Sequence, residues 1–282
     1  MKVDRAAIAL LVPPIAALVA SLGCTSLGCK APGSEPSASS SPPEMLPQFD
    51  EDMIPSIEVP RLEVDAAATM TIDGRLDEPA WERAVRTGSF VDVGSGKQRK
   101  DARVRGEARM FYTDKGLYIG FDVRDGNVRG GWDPSAVDPH LWERDTIEIM
   151  TKPTDDGTNK DYYELQINPQ NLVFDSHFDD YNKPNGGPAG PFGHQDWHAT
   201  MLSGVSVRGT LDNDSDKDDG YTVEVFIDFQ SFGPLTTAPS WRGRMLRMNL
   251  YAMKDNGGVA WSPILGMGNF HKAARFGRVH LQ

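Results

Sequence analysis

Cysteine is almost missing from this chain of 282 residues: its two cysteines, Cys24 and Cys29, lie together near the N-terminus. Everything beyond them must therefore be held by burial, without disulfide bonds. Positive charge is short as well. With 29 Lys and Arg against 40 Asp and Glu, the formal net charge is -11. The clustered cations that phosphate contacts demand are absent, which excludes nucleic acid as a partner. No internal repeat and no long helical periodicity is present, and that leaves strands as the building material. None of the histidines, His140, His177, His194, His198, His271 and His280, has a zinc-site spacing, and no nucleophile elbow, P-loop or dinucleotide fingerprint occurs. Nothing among the acidic residues singles out a pair for glycoside hydrolysis. The expectation is a protein that is not an enzyme and requires no cofactor.

The N-terminus has what the rest of the chain lacks, an apolar run. Lys2 and Arg5 precede an almost wholly apolar stretch that ends in small residues, so residues 1–23 read as a signal peptide. Asp4 dilutes the basic start, and Pro13-Pro14 interrupts the run and argues against a retained transmembrane helix. Ser21-Leu22-Gly23-Cys24 resembles the bacterial lipobox, with Leu22 one place later than usual, and Ser26-Leu27-Gly28-Cys29 repeats the pattern. The expectation is an exported lipoprotein of the cell envelope, in the outer membrane, periplasm or at the cell surface. It would carry lipid on Cys24, with Cys29 as the alternative, and meet the membrane only through that lipid. Residues 24–56 form the lipidated N-terminus and a Ser/Pro-rich tether, including Ser37-Ala38-Ser39-Ser40-Ser41-Pro42-Pro43, too poor in apolar surface to order itself. Residues 57–282 remain for one domain.

Within that domain the two-residue period of extended chain dominates. Residues 107–113 and 117–123 alternate about the turn Asp114-Lys115-Gly116, placing Ala108, Met110 and Tyr112 on the same face as Leu117, Ile119, Phe121 and Val123. Further strands are expected over 146–150, 162–168, 197–202, 205–210, 221–229, 245–253, 259–262 and 276–281. A long Gly/Pro/Asn loop separates them at 179–196, and loops of that length are usually functional or mobile. Glu78-Pro79-Ala80-Trp81 reads as a helical turn with Trp81 packed inward. Many short strands with turn signals and hardly any helix predict an all-β, antiparallel, jelly-roll-like sandwich.

One stretch stands out, Leu141-Trp142-Glu143-Arg144-Asp145-Thr146-Ile147-Glu148-Ile149-Met150. Ile147 and Ile149 point to one face, expected in the core, while Thr146, Glu148 and Met150 point to the other, expected to stay wet. A tryptophan ahead of a strand that displays a carboxylate can hold a sugar ring, because the indole covers C–H groups and the carboxylate accepts from hydroxyls. Taken alone, an edge tryptophan capping the core beside a solvated Glu148 is the simpler reading.

Several segments together resemble the family 9 carbohydrate-binding modules, a β-sandwich group appended to xylanases and related proteins. They are Ile72-Asp73-Gly74-Arg75-Leu76-Asp77-Glu78-Pro79-Ala80-Trp81, Gly116-Leu117-Tyr118-Ile119-Gly120-Phe121-Asp122-Val123, Trp142 to Ile149, Gly220-Tyr221-Thr222-Val223-Glu224-Val225 and Arg275-Phe276-Gly277-Arg278-Val279. The resemblance implies non-catalytic binding of a glycan or polysaccharide between two aromatic rings, beside a glycoside hydrolase partner that the sequence does not name. It puts Trp142 at the first ring, Phe270 at the second in place of a tryptophan, and Glu148 at the sugar-contacting carboxylate. Gln166 stands where the family carries an arginine, and Asn168 matches its asparagine. The alternatives are a structural or protein-interaction module of the cell envelope on the same sandwich and, less supported, a haem-binding domain.

Family members can also carry structural calcium. Asp212, Asp214 and Asp216 alternate as calcium-loop ligands do, and they are the candidate ligands here. No closing Glu stands at the expected spacing, where Val223 is found, so a solvated acidic hairpin loop is the competing and simpler reading.

Overall fold

The computed structural model of the chain describes residues 54–63, 70–182, 190–237, 240–266 and 269–282. The expected signal peptide, both cysteines and nearly all of the tether lie outside the described residues.

Alternation decides the architecture. On β4 (Val104–Tyr112) and β5 (Gly116–Asp125), the residues Ala108, Met110, Tyr112, Leu117, Ile119, Phe121 and Val123 share one face and are fully buried. The hairpin pairs Tyr112 with Leu117 and Val104 with Asp125. With β2 (Val85–Ser89), β9 (Met201–Arg208) and β10 (Gly220–Asp228) these strands form a five-stranded sheet in the order β2-β4-β5-β10-β9. A larger, eight-stranded sheet runs through β1 (Ser56–Val59), β13 (Gly277–Leu281), β11 (Met245–Lys254), β6 (Thr146–Lys152), β7 (Lys160–Ile167) and β8 (Val173–Asp180). Its last members are β12 (Gly257–Ala260), paired with β11, and β3 (Val91–Asp92), paired with β12. Pairing is antiparallel except between β1 and β13, which run parallel. Ile147, Ile149, Leu165, Ile167 and Leu250 from the larger sheet share one apolar core with Met110, Phe121, Val223 and Val225 from the smaller, so the fold is the expected β-sandwich. Helix among the described residues is confined to 3-10 turns at Pro79–Glu82, Leu141–Glu143, Phe229–Thr237 and Ala273–Arg275.

Two expectations are corrected. The strands expected over 197–202 and 205–210 are a single one, β9 (Met201–Arg208), which continues through Gly204 opposite Glu224. A Cβ at Gly204 would meet Gly74 N and Ile72 O at 2.6 Å, so this glycine marks a close backbone crossing and not a turn. The second correction concerns the outer face of the larger sheet, which is not wet. Every residue of β6 is buried, with Glu148 2% exposed and Met150 1%. The cause is a second apolar layer: Ile264, Ala273 and Phe276, from the chain between β12 and β13, pack on Met150, Tyr162, Phe178, Tyr251 and Met253.

The motif around Trp81 straps the outer face of the smaller sheet. Gly120 has no side chain to hold the indole off, and a Cβ there would lie 2.5 Å from Leu76 and 3.1 Å from Trp81. Opposite Gly120, buried Glu224 accepts from Trp81 Nε1 at 2.7 Å and from Asp73 N and Gly74 N at 2.9 Å. One carboxylate thereby satisfies a buried indole and the backbone of the Asp-Gly turn.

A buried ion cluster joins the sheets. Lys254 at the end of β11 donates to Asp125 Oδ2 at 2.8 Å, to both carboxylate oxygens of Asp145 at 2.9 and 3.0 Å, and to Asn127 O at 2.8 Å. Asp125 ends β5, and Asp145 immediately precedes β6. All three side chains are at most 9% exposed. Removing the cation leaves two buried carboxylates facing each other, which costs about 3–5 kcal/mol. Lys254→Met should therefore lower the unfolding free energy by that amount in urea titrations, and a loss below about 1 kcal/mol would show that the cluster is not a support.

Candidate functional site

Cross-strand register assembles the floor of a cavity on the outer face of the larger sheet. Tyr251, Glu148, Gln166 and Phe174 lie in one row across β11, β6, β7 and β8, and Asn249, Met150, Glu164 and Ser176 lie in the next row. Above this floor is a cavity of about 310 Å³ whose lining includes Trp142, Phe178, Tyr181, Phe192, Asn256, Asn269, Phe270 and His271. Wider hollows of about 660 and 790 Å³ elsewhere are lined by no aromatic ring among the described residues.

The rings of the rim are braced from behind. Trp142 sits on the 3-10 turn before β6, stacked on His140 at 4.4 Å and 19°, with Phe174 edge-on at 5.3 Å and Phe192 tilted at 5.7 Å. Its turn is hung from the tip of the β11–β12 hairpin: Asn256 N donates to Trp142 O at 3.0 Å and Asp255 N to Arg144 O at 3.3 Å. Asp255 and Asn256 both have positive φ, as a two-residue turn of this hand needs. Phe270 stacks on Tyr251 at 5.0 Å and 11°, and Tyr251 OH donates to Phe270 O at 3.3 Å. Tyr181 stacks on His271 at 4.1 Å and 2°. His271 Nδ1 in turn shares a 2.6 Å hydrogen bond with the Tyr162 hydroxyl, and burial pushes its pKa down to about 3, so it is neutral near pH 7.

The floor is acidic. Gln166 Nε2 donates to Glu164 Oε1 at 2.6 Å and, more weakly, to Glu148 Oε2 at 3.5 Å. Burial raises both carboxyls, Glu164 to about 7 and Glu148 well above its ordinary range, the latter also through the charge of Glu164. Two buried acceptors, Glu148 Oε1 and Gln166 Oε1, have no hydrogen-bond partner. Orphaned acceptors in a cavity floor are what a hydroxyl- or amine-bearing ligand would satisfy.

Of the residues expected from sequence, Trp142, Glu148, Gln166 and Phe270 come together in this cavity. Asn168 does not line it. Its side-chain oxygen accepts from Gln170 N at 3.0 Å and Leu172 N at 2.9 Å, shaping the turn between β7 and β8. Glu164, Tyr181, Phe192 and His271 were not expected as site residues. Glu164 carried a signal, since it shares the strand parity of Gln166, whereas the other three lie outside any periodic segment or at its end.

Asp212, Asp214 and Asp216 are not grouped as a metal site. Asp212 accepts from the backbone of Gly130 and Gly131 at 3.0 Å, and Asp214 pairs with Arg129 and Asn127. Among the described residues, the ligand sets whose atoms lie within 4.8 Å of one another are His177, Asp179 and His194, and Asp73, Glu78 and Glu224. The second includes a carboxylate whose oxygens already accept from Trp81, Asp73 and Gly74.

Comparison with known proteins gives the family and the fold. A family model described as carbohydrate family 9 binding domain-like matches residues 72–282. A curated relative, the exoglucanase XynX of Acetivibrio thermocellus, is 29% identical over 110 residues, 38% of this chain and 9% of that protein, so the match spans only a small part of the relative. Among solved structures, a candidate carbohydrate-binding protein from Bacteroides uniformis superposes with a TM-score of 0.59 at 18% identity, covering 81% of this chain and 100% of that one. A family 9 carbohydrate-binding module from Caldicellulosiruptor kristjanssonii in complex with cellotriose gives 0.51 at 16% identity, covering 80% and 93%. At such identities the structural matches speak to the fold.

A carboxyl whose folded pKa is raised keeps its proton in the folded state between the unfolded value, near 4.5, and the folded one. Its destabilising effect is therefore absent at acid pH and grows as pH rises toward 7. Glu164→Gln removes one such group. Relative to the wild type, the variant should gain stability between pH 4.5 and pH 8, by roughly 1–3 kcal/mol in denaturant titrations. An identical difference at both pH values would contradict the buried acidic pair.

Proposed function

Because the chain belongs to the carbohydrate family 9 binding domain-like family, we propose that it is a non-catalytic saccharide-binding module and that the cavity between Trp142 and Phe270 is its binding site. The observation that carries this reading is convergence: Trp142 and Glu148, just before and within β6, and Phe270, more than a hundred residues later in the chain, line one cavity. Trp142 and Phe270 offer apolar faces to the C–H surfaces of a sugar, while Glu148, Glu164 and Gln166 accept from its polar groups. The braced rings mean that little conformational entropy is lost when a ligand enters.

The same proposal covers the setting. The apolar run before Cys24 directs export, a lipid on Cys24 or Cys29 holds the chain at the cell envelope, and the Ser/Pro-rich segment gives the domain reach from the membrane. A glycoside hydrolase acting on the same glycan is the partner this reading implies. Structural calcium at Asp212, Asp214 and Asp216 would be a separate, supporting feature, and calcium titration followed by thermal unfolding would detect it.

Calorimetric titration against a panel of oligosaccharides that includes cellotriose tests the site. Trp142→Ala and Phe270→Ala should each weaken binding by about tenfold or more, which corresponds to 1.4 kcal/mol. A panel in which nothing binds, or variants that bind as the wild type does, would refute the assignment.

A further inference from the structure

The floor of the cavity is richer in negative charge than a neutral sugar requires. Glu148 on β6 and Glu164 on β7 are linked through Gln166 Nε2, and among the described lining residues there is no lysine or arginine. Among the residues lining this cavity, the buried side-chain atoms without a partner are two oxygens, Glu148 Oε1 and Gln166 Oε1, which accept once the carboxyl is ionised. Resting on the saccharide-binding reading above, we propose that the cavity selects a saccharide bearing a free, protonated amino group, with the ammonium seated among Glu148, Glu164 and the side-chain oxygen of Gln166.

An ammonium has three donors and no acceptor, so it matches a floor that offers carboxylate and amide oxygens. Its charge is opposite to that of the pair, and in a partly dehydrated pocket this attraction exceeds its value in water. The rim helps as well, because the rings of Trp142 and Phe270 line the cavity and aromatic faces attract cations. Acetylation of the amine would remove the charge and all but one donor.

The groups facing the pair do not already provide a cation. Tyr162, Tyr181 and Tyr251 are kept protonated chiefly by burial. His271, whose Nε2 is 3.8 Å from Glu164 Oε2, is held neutral by burial. Arg275 acts on Tyr251 but lines a different hollow. In the empty cavity the carboxyls retain protons near neutrality, because burial and mutual repulsion disfavour two charges. Entry of an ammonium supplies the missing counter-charge, so those protons leave to solvent as the ligand binds.

The experiment is calorimetric titration of the full chain at pH 6.5 with the glucosamine trimer, the N-acetylglucosamine trimer and cellotriose, in two buffers of different ionisation enthalpy. The expected result is binding of the free-amine trimer roughly tenfold or more tighter than of either neutral trimer. Proton release should accompany the amine ligand only. In Glu164→Gln, with its fold checked by circular dichroism, the preference should fall at least severalfold and the proton release should shrink. Equal or tighter binding of a neutral trimer overturns this inference while leaving the saccharide site intact. A preference for the amine that Glu164→Gln and Glu148→Gln both leave unchanged assigns it to the acidic surface at large and also overturns it. Failure of all three trimers to bind counts against both the inference and the reading on which it rests. The wild-type proton release decides the matter even if neither variant folds.

Discussion

The bond of Lys254 to Asp125 and Asp145 is the constraint on which the site depends. β5 belongs to the smaller sheet, and β6 and β11 belong to the larger, so the cluster ties the two layers together at one end of the sandwich. It acts on Trp142 as well, since Asp145 is three residues further along the chain and its other contact, with Arg129 N at 2.7 Å, fixes the loop that leads there. Directly after Lys254 comes the Asp255-Asn256 turn, whose amides hold the carbonyls of Trp142 and Arg144. The ion cluster and the hairpin tip are thus successive residues gripping one short turn. A buried pair of this kind contributes little net stability compared with an apolar substitute, but it has a geometry that an apolar substitute lacks. In this fold that geometry sets where the indole stands.

Burial of the outer face of the larger sheet follows a different logic. Most sandwiches keep that face solvated, and alternating strands announce it. Here Ile264, Ala273 and Phe276 fold back over Met150, Tyr162 and Tyr251, covering most of the face and leaving the cavity in the remainder. The polar side chains of β6, β7 and β11 are thereby enclosed at low dielectric. Asn249 is fully satisfied by this enclosure, donating to Tyr251 OH and Ser262 O at 2.7 Å and accepting from Ser262 N at 2.9 Å. Glu148 and Gln166 are not, and each keeps an orphaned oxygen. At Asn249 the cover completes the hydrogen bonds, whereas at Glu148 and Gln166, which line the cavity, it does not.

Much of this was legible in the residues themselves. The inward sets on β4, β5, β6 and β7 follow from period-two alternation, because one face of every strand meets the same core. Trp142, Glu148, Gln166 and Phe270 are identified as site residues through the resemblance, since position alone favours a capping tryptophan beside a solvated Glu148, and the structure brings the four to one cavity. What stayed hidden has physical causes. The dryness of the outer face depends on a segment more than a hundred residues downstream of β6, and no local pattern encodes that contact. The break expected between 202 and 205 is absent because local propensity cannot distinguish a bend from the backbone crossing at Gly204. Asn168 has the right parity for the floor, yet it lies one residue beyond β7, where Asn side chains turn to cap their own loop. Tyr181 and His271 found each other across long separations by stacking, a pairing that sequence spacing does not express.

Rim and floor divide the work of recognition unequally. A ring face binds any C–H surface laid on it, so under the proposed function Trp142 and Phe270 would contribute affinity that varies little from one sugar to another, on the order of 1 kcal/mol beyond the area they bury. The floor is less tolerant, because leaving a buried charge or acceptor without a partner costs about 1–3 kcal/mol for each group and more when it is charged. Errors at the floor therefore exceed what the rim can supply. The two departures that the resemblance implies, Phe270 for a tryptophan and Gln166 for an arginine, consequently differ in kind: the first reduces contact area, and the second removes a charged donor and leaves Glu148 and Glu164 to set the sign of the cavity. Under the proposed function the smaller ring would change how tightly the domain holds a ligand, while the acidic floor would change which ligand it holds.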